Sequence, residues 1–445
     1  MDLAQALRLT PAASHQTISL VGAGGKTTAL FQLARQLSGA RSSEVIVTAT
    51  SHLGTWQVSN ADRHIIVNDI NDIGPILHNE LRGVTLITGE IIDDRTSPVD
   101  MPTLNWLREK LKASNIPLLI EADGSQQRPL KAPDSHEPPI PEFTDTVVVV
   151  AGLSALRKLL TKDHVYRAEI FSELGNLALN QTITSESIRR VIAHPQGGLK
   201  NIPSAAQRVV LLNQADTAEL QSVGGNMARE LLDHFDTVIV GSLQQNALQT
   251  FEQTAGIILA AGESTRFGAP KQLLDWYGKP FVRHVAETAL RAGLWPVFVI
   301  TGFHNAEIDA ALDGLSVNIV HNAEYKLGQS TSIKAGIRSL PKKLGAAVFL
   351  LADQPQIPVE VIRALMETHT RELPAILAPL VLEERRANPV LFDKITFPDL
   401  MQITGDVGGR AIFDKHRVEY LPWHDDILLF DVDKPEDYQR LKDME

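Results

Sequence analysis

Three groups of residues in this 445-residue chain have types and spacings suited to chemistry on phosphate esters. In VGAGGKTT, Gly22, Gly24 and Gly25 precede Lys26, Thr27 and Thr28. Small residues there would let backbone amides and a helix N-terminus meet phosphate oxygens. Lys26 would reach the distal phosphates and Thr27 would ligate Mg²⁺. The loop is shorter than GxxxxGK[ST], because Leu20 stands six places before Lys26. In LAAGESTRFGAPKQ, Ala260, Ala261 and Gly262 would admit a triphosphate, Ser264 would donate to it, and Arg266 and Lys271 would carry the positive charge.

The third group is acidic. Glu121 and Asp123 close the apolar run LLIEAD, and Asp353 closes AAVFLLAD. Asp433 closes ILLFDVD, with Asp431 two residues back on the same side if the segment is extended. Carboxylates at the carboxyl ends of strands suit Mg²⁺, which takes oxygen ligands and keeps water. Asp353 is the leading ligand and Asp433 the second, with Asn388 or Asp406 as substitutes; each acid alone would also serve as a helix cap. VVLLNQAD resembles a guanine-recognition NKxD motif with Gln214 in place of lysine, so Asp216 would accept from a base and Asn213 would brace the loop. In HNAEYKLGQSTSIKAGI, Gly328, Gln329, Ser330 and Ser332 would meet base or ribose, or simply start a helix. TATSHLG offers Thr50, Ser51 and His52, and the proline-rich EADGSQQRPLKAPDSHEPPIP offers Arg128, Lys131, His136 and Glu137. His52 and His136 are candidates to share a metal, without the compact spacing that would establish one.

Short apolar strands must position these groups. TISLV (17–21), EVIVTAT (44–50), LLIEAD (118–123), TVVVVAG (146–152), RVVLLNQAD (208–216) and TVIVGSL (237–243) read as buried parallel strands. GIILA (256–260), PVFVIT (296–301), NIVHN (318–322), AAVFLLAD (346–353), PAILAPL (374–380), NPVLF (388–392) and ILLFDVD (427–433) form a second set. The Gln-rich SLQQNALQTFEQ (242–253) has weak periodicity and contains the expected boundary, giving domains 1–248 and 249–445. The expected fold class is α/β: two unlike three-layer domains, an N-terminal P-loop-like parallel sheet and a C-terminal Rossmann-like sheet.

Composition limits the alternatives. A net charge of -11 argues against a general nucleic-acid surface. The absence of cysteine removes disulfides, thiolate catalysis and cysteine-held metal. No apolar run reaches 18 residues and the first residues do not read as a signal peptide, so a cytoplasmic protein without a membrane span is expected.

VGAGGKTT, TATSHLG, EADGSQQRPLKAP and SHEPPIP together resemble the YqeC-type accessory proteins associated with selenium-dependent molybdenum hydroxylases, over about residues 15 to 245. That resemblance implies a nucleotide-dependent maturation role, with ATP or GTP as the nucleotide. LAAGESTRFGAPKQ, KQLLDWYGKPFVRHV, ADQP, NPVLF, GDVGGR and DVDKPEDY, in that order, resemble the MobA/MocA-type nucleotidyltransferases over about residues 255 to 445. The LAAG form and the NPVLF…GDVGGR pair imply the molybdenum cofactor cytidylyltransferase branch, which makes molybdopterin cytosine dinucleotide and pyrophosphate from CTP and molybdenum–molybdopterin. By this resemblance Arg266 and Lys271 are the phosphate-contacting pair and Asp353 the magnesium aspartate. Asn388, Pro389, Asp406, Gly408 and Arg410 then lie on the acceptor side, Arg410 at the pterin phosphate. Phe267 stands where methionine is common and Gly409 where alanine is common, the latter expected to loosen its loop. The implied partners are the cofactor, CTP and, transiently, a molybdenum hydroxylase or its chaperone. Transfer to another small phosphorylated alcohol, or cofactor delivery without transfer, are the alternatives.

Overall fold

A computed structural model describes residues 1–9, 16–39, 44–73, 83–263, 267–382 and 385–444. It divides into two compact units, Met1–Phe251 and Glu252–Glu445.

The first unit is built on a nine-stranded sheet. Its order is Ala247–Phe251, Thr237–Ser242, Gln207–Asn213, Thr146–Gly152, Thr17–Gly22, Leu118–Glu121, Glu44–Ala49, Gly83–Thr88 and Arg63–Ile66. All neighbours are parallel except the edge strand Ala247–Phe251. Alternate residues of one strand feed opposite faces. Val147 and Val149 join the core that holds Phe171 and Val191, whereas Val148 and Val150 join the core packed by Leu30, Leu33 and Ala34 of helix Lys26–Gly39. The continuous apolar run is therefore the signature of a strand covered on both faces.

The second unit has a mixed sheet ordered Asn318–His321, Val297–Thr301, Thr254–Ala260, Ala346–Leu351, Val390–Asp393 and Ile376–Val381. Val418–Trp423 and the short Arg385–Arg386 both pair with Ile376–Val381. Ile258 and Ile257 again face different cores. The first four strands stand in the order third, second, first, fourth, as in dinucleotide-binding sheets, and then the antiparallel Val390–Asp393 interrupts the series. The observed architecture is thus two α/β units, without the complete Rossmann order.

Two expectations need correction. The run 427–433 is not a strand: Asp426–Leu429 forms a 3₁₀ turn capped by the Asp425 carboxylate, which accepts from the Ile427 amide at 2.9 Å. The place beside Ile376–Val381 goes to Val418–Trp423 instead. In addition, Ala247–Phe251, within the Gln-rich stretch, forms the antiparallel edge of the first sheet. No helix among the described residues is long and apolar enough to cross a membrane.

Candidate functional sites

The first glycine loop leaves the centre of its sheet, where Thr17–Gly22 lies between Thr146–Gly152 and Leu118–Glu121. Gly24 has φ +82°, and a Cβ there would lie 2.3 Å from the Gly152 nitrogen, so side chains are excluded by both backbone shape and space. The loop is bonded inward. Gly22 donates to both oxygens of Asp123 at 3.1 Å, Ala23 to Val150 O at 2.8 Å and Gly24 to Arg128 O at 3.0 Å. These amides are therefore not aimed at a ligand, contrary to the expected phosphate cradle. The first amides of helix Lys26–Gly39 have no acceptor within the helix.

Lys26 is buried and folds back, donating to Gly22 O at 2.7 Å, with Asp123 at 3.3 Å and Glu121 at 3.9 Å. Thr27 Oγ1 donates to Glu121 Oε2 at 2.8 Å and accepts from Gln57 Nε2 at 3.0 Å. Burial pushes the Glu121 carboxyl up, Lys26 and Thr27 pull it down, and the Asp123 charge raises it again. Thr28 is exposed on the helix. Asn213 Nδ2 donates to Gly24 O at 2.7 Å while its Oδ1 accepts from the Leu243 amide at 3.1 Å, tying the loop to the neighbouring strand. Gln214 accepts from Ser154 Oγ at 2.5 Å, and Asp216 is exposed, its carbonyl accepting from Gln245 at 3.3 Å.

The proline-rich loop completes this cluster. Lys131 Nζ lies 2.7 Å from Asp123 Oδ2, 2.7 Å from Glu137 Oε2 and 2.6 Å from Gly124 O. Glu137 is held in turn by the Arg167 guanidinium. Burial alone would raise the Glu137 carboxyl, but hydrogen bonds from Arg167 and Lys131 outweigh it and bring the pKa down to about 2. Lys26, Lys131, Glu121, Asp123 and Glu137 thus form one buried ionic network, continued at its edge by Arg167. His52 takes no part: its Nδ1 lies 3.0 Å from Thr96 O. No group of three or more metal-ligating His, Asp or Glu side chains occurs among the described residues.

In the second unit, Ala260 and Ala261 are buried at the end of the first strand, and Gly262 O accepts from Gln272 Nε2 at 2.9 Å. Ser264 and Arg266 lie outside the described residues. Lys271, on a 3₁₀ turn, sets its ammonium 2.8 Å from Asp433 Oδ1 and 3.9 Å from Asp353 Oδ2. Two carboxylates from distant segments thereby converge on one cation. Asp353 keeps 38% of its side chain open to solvent. Burial still pushes its carboxyl up, Lys271 opposes this, and Asp431 and Asp433 add to the rise. Asp431 points elsewhere, accepting from Gln354 Nε2 at 2.6 Å, while Gln354 Oε1 accepts from Asn388 at 3.3 Å. Gln354 therefore joins the Asn388–Pro389 segment to the acidic segment 431–433.

A second assembly surrounds the start of helix Gln329–Ser339. Gln329 N donates to Asp406 Oδ1 at 3.2 Å and Ser330 N to Gly405 O at 3.4 Å. Gly328 has φ +107°, and a Cβ there would lie 2.6 Å from the Asp406 nitrogen. A Cβ on Gly408 would likewise lie 2.9 Å from Gln329 Oε1. Gly328–Ser330 and Asp406–Gly408 are thus one structure, although 77 residues separate Gln329 from Asp406. Buried Asn322 supports it by donating to Thr331 and Ser332 hydroxyls at 2.8 and 3.0 Å. Arg410 is exposed. Gly409 is not a loosening residue, since a Cβ there would come within 2.7 Å of the Phe392 ring. Phe267 packs edge-on against Tyr438 at 6.4 Å, a packing role.

Sequence reading missed Gln57, Gln354 and Asn322, whose importance lies in partners that no local spacing reveals. Lys131 and Glu137 were visible as charged residues in a proline-rich loop, but their pairing with Asp123 and Arg167 was not.

Comparison with known proteins follows the same division. The model described as YqeC protein matches residues 18–169, and that described as MobA-like NTP transferase domain matches residues 256–420. The YqeC protein of Escherichia coli (strain K12) is 30% identical over 247 residues, covering 52% of this chain and 88% of that protein. Nicotine blue oxidoreductase of Paenarthrobacter nicotinovorans is 29% identical over 196 residues, 42% of this chain and 95% of that protein. The crystal structure of Rv0371c from Mycobacterium tuberculosis H37Rv is 25% identical, with a TM-score of 0.39 and coverage of 43% of this chain and 98% of that one. The chain belongs to the YqeC family through its first unit, and fuses that unit to a MobA-like NTP transferase domain.

Proposed function

We propose that the second unit transfers a nucleotidyl group from a nucleoside triphosphate to a small phosphorylated acceptor. In its most specific form, CMP passes from CTP to molybdenum–molybdopterin. The observation that carries the reading is the convergence of Lys271, Asp353 and Asp433 beside the strand end at Ala260–Gly262. An acceptor phosphate oxygen attacks the α-phosphorus, the bond to the bridging β-phosphate oxygen breaks, and pyrophosphate departs with its electron pair. An already ionised acceptor phosphate needs no general base. Lys271 places positive charge along the triphosphate, joined by Arg266 from the segment 264–266.

Asp353 and Asp433 fit the Mg²⁺ that such a reaction implies, because the Lys271 ammonium between them already stands in for a shared cation. Bound there, the ion would neutralise charge on the phosphate oxygens. Gln354 positions Asn388 on the acceptor side, and the Gly328–Ser330 and Asp406–Gly408 assembly forms the wall at which base, ribose or pterin phosphate is sorted, with Arg410 exposed at its end. The cytidylyl form rests on LAAG and on the NPVLF…GDVGGR pair.

For the first unit we infer a nucleotide-dependent maturation role. The nucleotide phosphates would sit at the start of helix Lys26–Gly39, with Lys26 released from Gly22 O, and Thr27 and Glu121 would hold the metal. Incubating the full chain with Mg²⁺ and each triphosphate, plus molybdenum–molybdopterin or a simple polyol phosphate, tests the transferase reading. Acceptor-dependent pyrophosphate release supports it. Tight cofactor binding with no release from any triphosphate would favour a delivery protein instead.

A further inference from the structure

The chemistry at Lys271 and Asp353 leaves one arginine of the second unit unused. Ile376–Val381 and Ala346–Leu351 are each antiparallel to Val390–Asp393, so both end at the same edge of the sheet, the edge that Asp353 follows. At that edge Arg385–Arg386 pairs back on Leu380–Val381, with Arg386 opposite Leu380. The chain then turns in through Ala387, whose amide donates to Pro379 O at 3.0 Å, to Asn388, which donates to Gln354 Oε1 at 3.3 Å. Arg386 thus stands at the outer end of the segment that brings Asn388 beside Gln354.

Its guanidinium is held in place yet bonded to nothing. The central carbon lies 5.5 Å from the Tyr420 ring centre and 5.9 Å from that of Phe413, close enough for each ring to attract the charge. Both rings are themselves anchored: Tyr420 stands beside Ala378 in the sheet, and Phe413 meets Phe392 at 6.4 Å. Arg386 nevertheless makes no hydrogen bond or ion pair with any described residue, whereas Arg283 and Arg417 of the same unit hold Glu287 and Glu419. The residue is exposed, so a ligand can reach it, and a guanidinium has five N–H donors to give. An arginine already fixed on two rings also loses little freedom when it binds.

What it binds follows from where it stands. Three strand spacings separate Arg385–Arg386 from Ala346–Leu351, about 14 Å at roughly 4.8 Å each. Arg386 therefore lies away from the phosphate that reacts at Lys271 and Asp353, on the far side of Asn388. A guanidinium fork matches two hydrogen-bond acceptors side by side, as on a carboxylate or on the oxygen and ring-nitrogen edge of guanine. We propose that Arg386 is a specificity residue for the molecule that receives the nucleotidyl group, and grips the end of it remote from the reacting phosphate. The group gripped is flat and carries two adjacent acceptors: a carboxylate, or the carbonyl oxygen and ring nitrogen of a fused heterocycle. The inference rests on the transferase reading for the identity of that molecule, while the binding itself needs no transfer.

The test is ligand-observed magnetic resonance on the full chain, without nucleotide, using two pairs of probes. Pterin is compared with 5-deazapterin, in which a C–H replaces the ring nitrogen beside the carbonyl, and benzoate with benzyl alcohol. Wild type should prefer the first member of at least one pair by about tenfold, the worth of one charge-assisted hydrogen bond. A pterin preference assigns the heterocycle and a benzoate preference the carboxylate. Arg386→Lys, which keeps the charge and loses the fork, should erase the preference. Phe413→Leu should reduce it by removing one of the rings that hold the fork. No preference in wild type, or one that survives Arg386→Lys, would overturn the proposal. Arg386-dependent binding by a chain that transfers no nucleotidyl group keeps this inference and ends the transferase reading; transfer by a chain indifferent to Arg386 does the opposite.

Discussion

Glu137 makes the buried network beside the first glycine loop measurable. Its carboxylate joins Lys131 to Arg167, and its pKa falls from 4.5 to about 2. Because the folded value is depressed, the stabilisation is present above the unfolded pKa and is lost as pH falls through the folded one. A depression of that size corresponds to at most roughly 3 kcal/mol; allowing for partial solvent screening leaves about 2 kcal/mol. Glu137→Gln removes this and also leaves Asp123 as the one carboxylate paired with Lys131 at 2.7 Å. Hydrogen exchange read by peptide mass spectrometry is the appropriate assay, since a chain of two units need not unfold in one step. Amides of Thr146–Gly152 should exchange roughly 30-fold faster in the variant near neutral pH. The difference should shrink to less than half, in free energy, near pH 3, roughly midway between the two pKa values. Unchanged exchange, or a difference that persists in full at low pH, would refute the assignment of that stability to the Glu137 charge.

Asp353→Asn should lower nucleotidyl transfer by at least about 100-fold. Because burial raises the Asp353 carboxyl, the fold favours its protonated form, and the stability it contributes is lost as pH rises through its folded pKa. The Asn variant should therefore melt higher than wild type at pH 8 and lose that advantage towards pH 4, as scanning calorimetry would register. Lys26→Ala should weaken ATP or GTP binding by isothermal calorimetry while leaving the proposed nucleotidyl transfer near wild type; unaltered affinity would remove the nucleotide from this loop. Gly24→Ala should destabilise the first unit by at least about 2 kcal/mol in urea titration, from the left-handed backbone and the contact with Gly152.

Much of the architecture was legible because strands covered on both faces read as apolar runs. Thr17–Gly22, Thr146–Gly152 and Ala346–Leu351 are of that kind. Edge strands were harder. Arg63–Ile66 buries only Ile65, Ala247–Phe251 buries only alternate side chains, and Val418–Trp423 buries none fully. Gly83–Thr88 was overlooked although VTLIT carries the signal. The segment 427–433 failed in the opposite way: apolar residues suited to a strand were claimed by a capped 3₁₀ turn. At the sites, sequence identified the charged residues but not their partners. Nothing local to Gln329 announces Asp406, and nothing near Lys131 announces its bond to Asp123. The inward hydrogen bonds of Gly22, Ala23 and Gly24 were hidden too, because glycine composition records where a chain can turn and not where its amides point.

The most direct test of the central claim is the mass of the product formed when the full chain meets Mg²⁺, CTP and molybdenum–molybdopterin. A species heavier than the cofactor by one cytidylyl group, formed with one pyrophosphate per product and lost in Asp353→Asn, is the expected result. Unmodified cofactor and intact CTP, from folded protein that binds both, would contradict it.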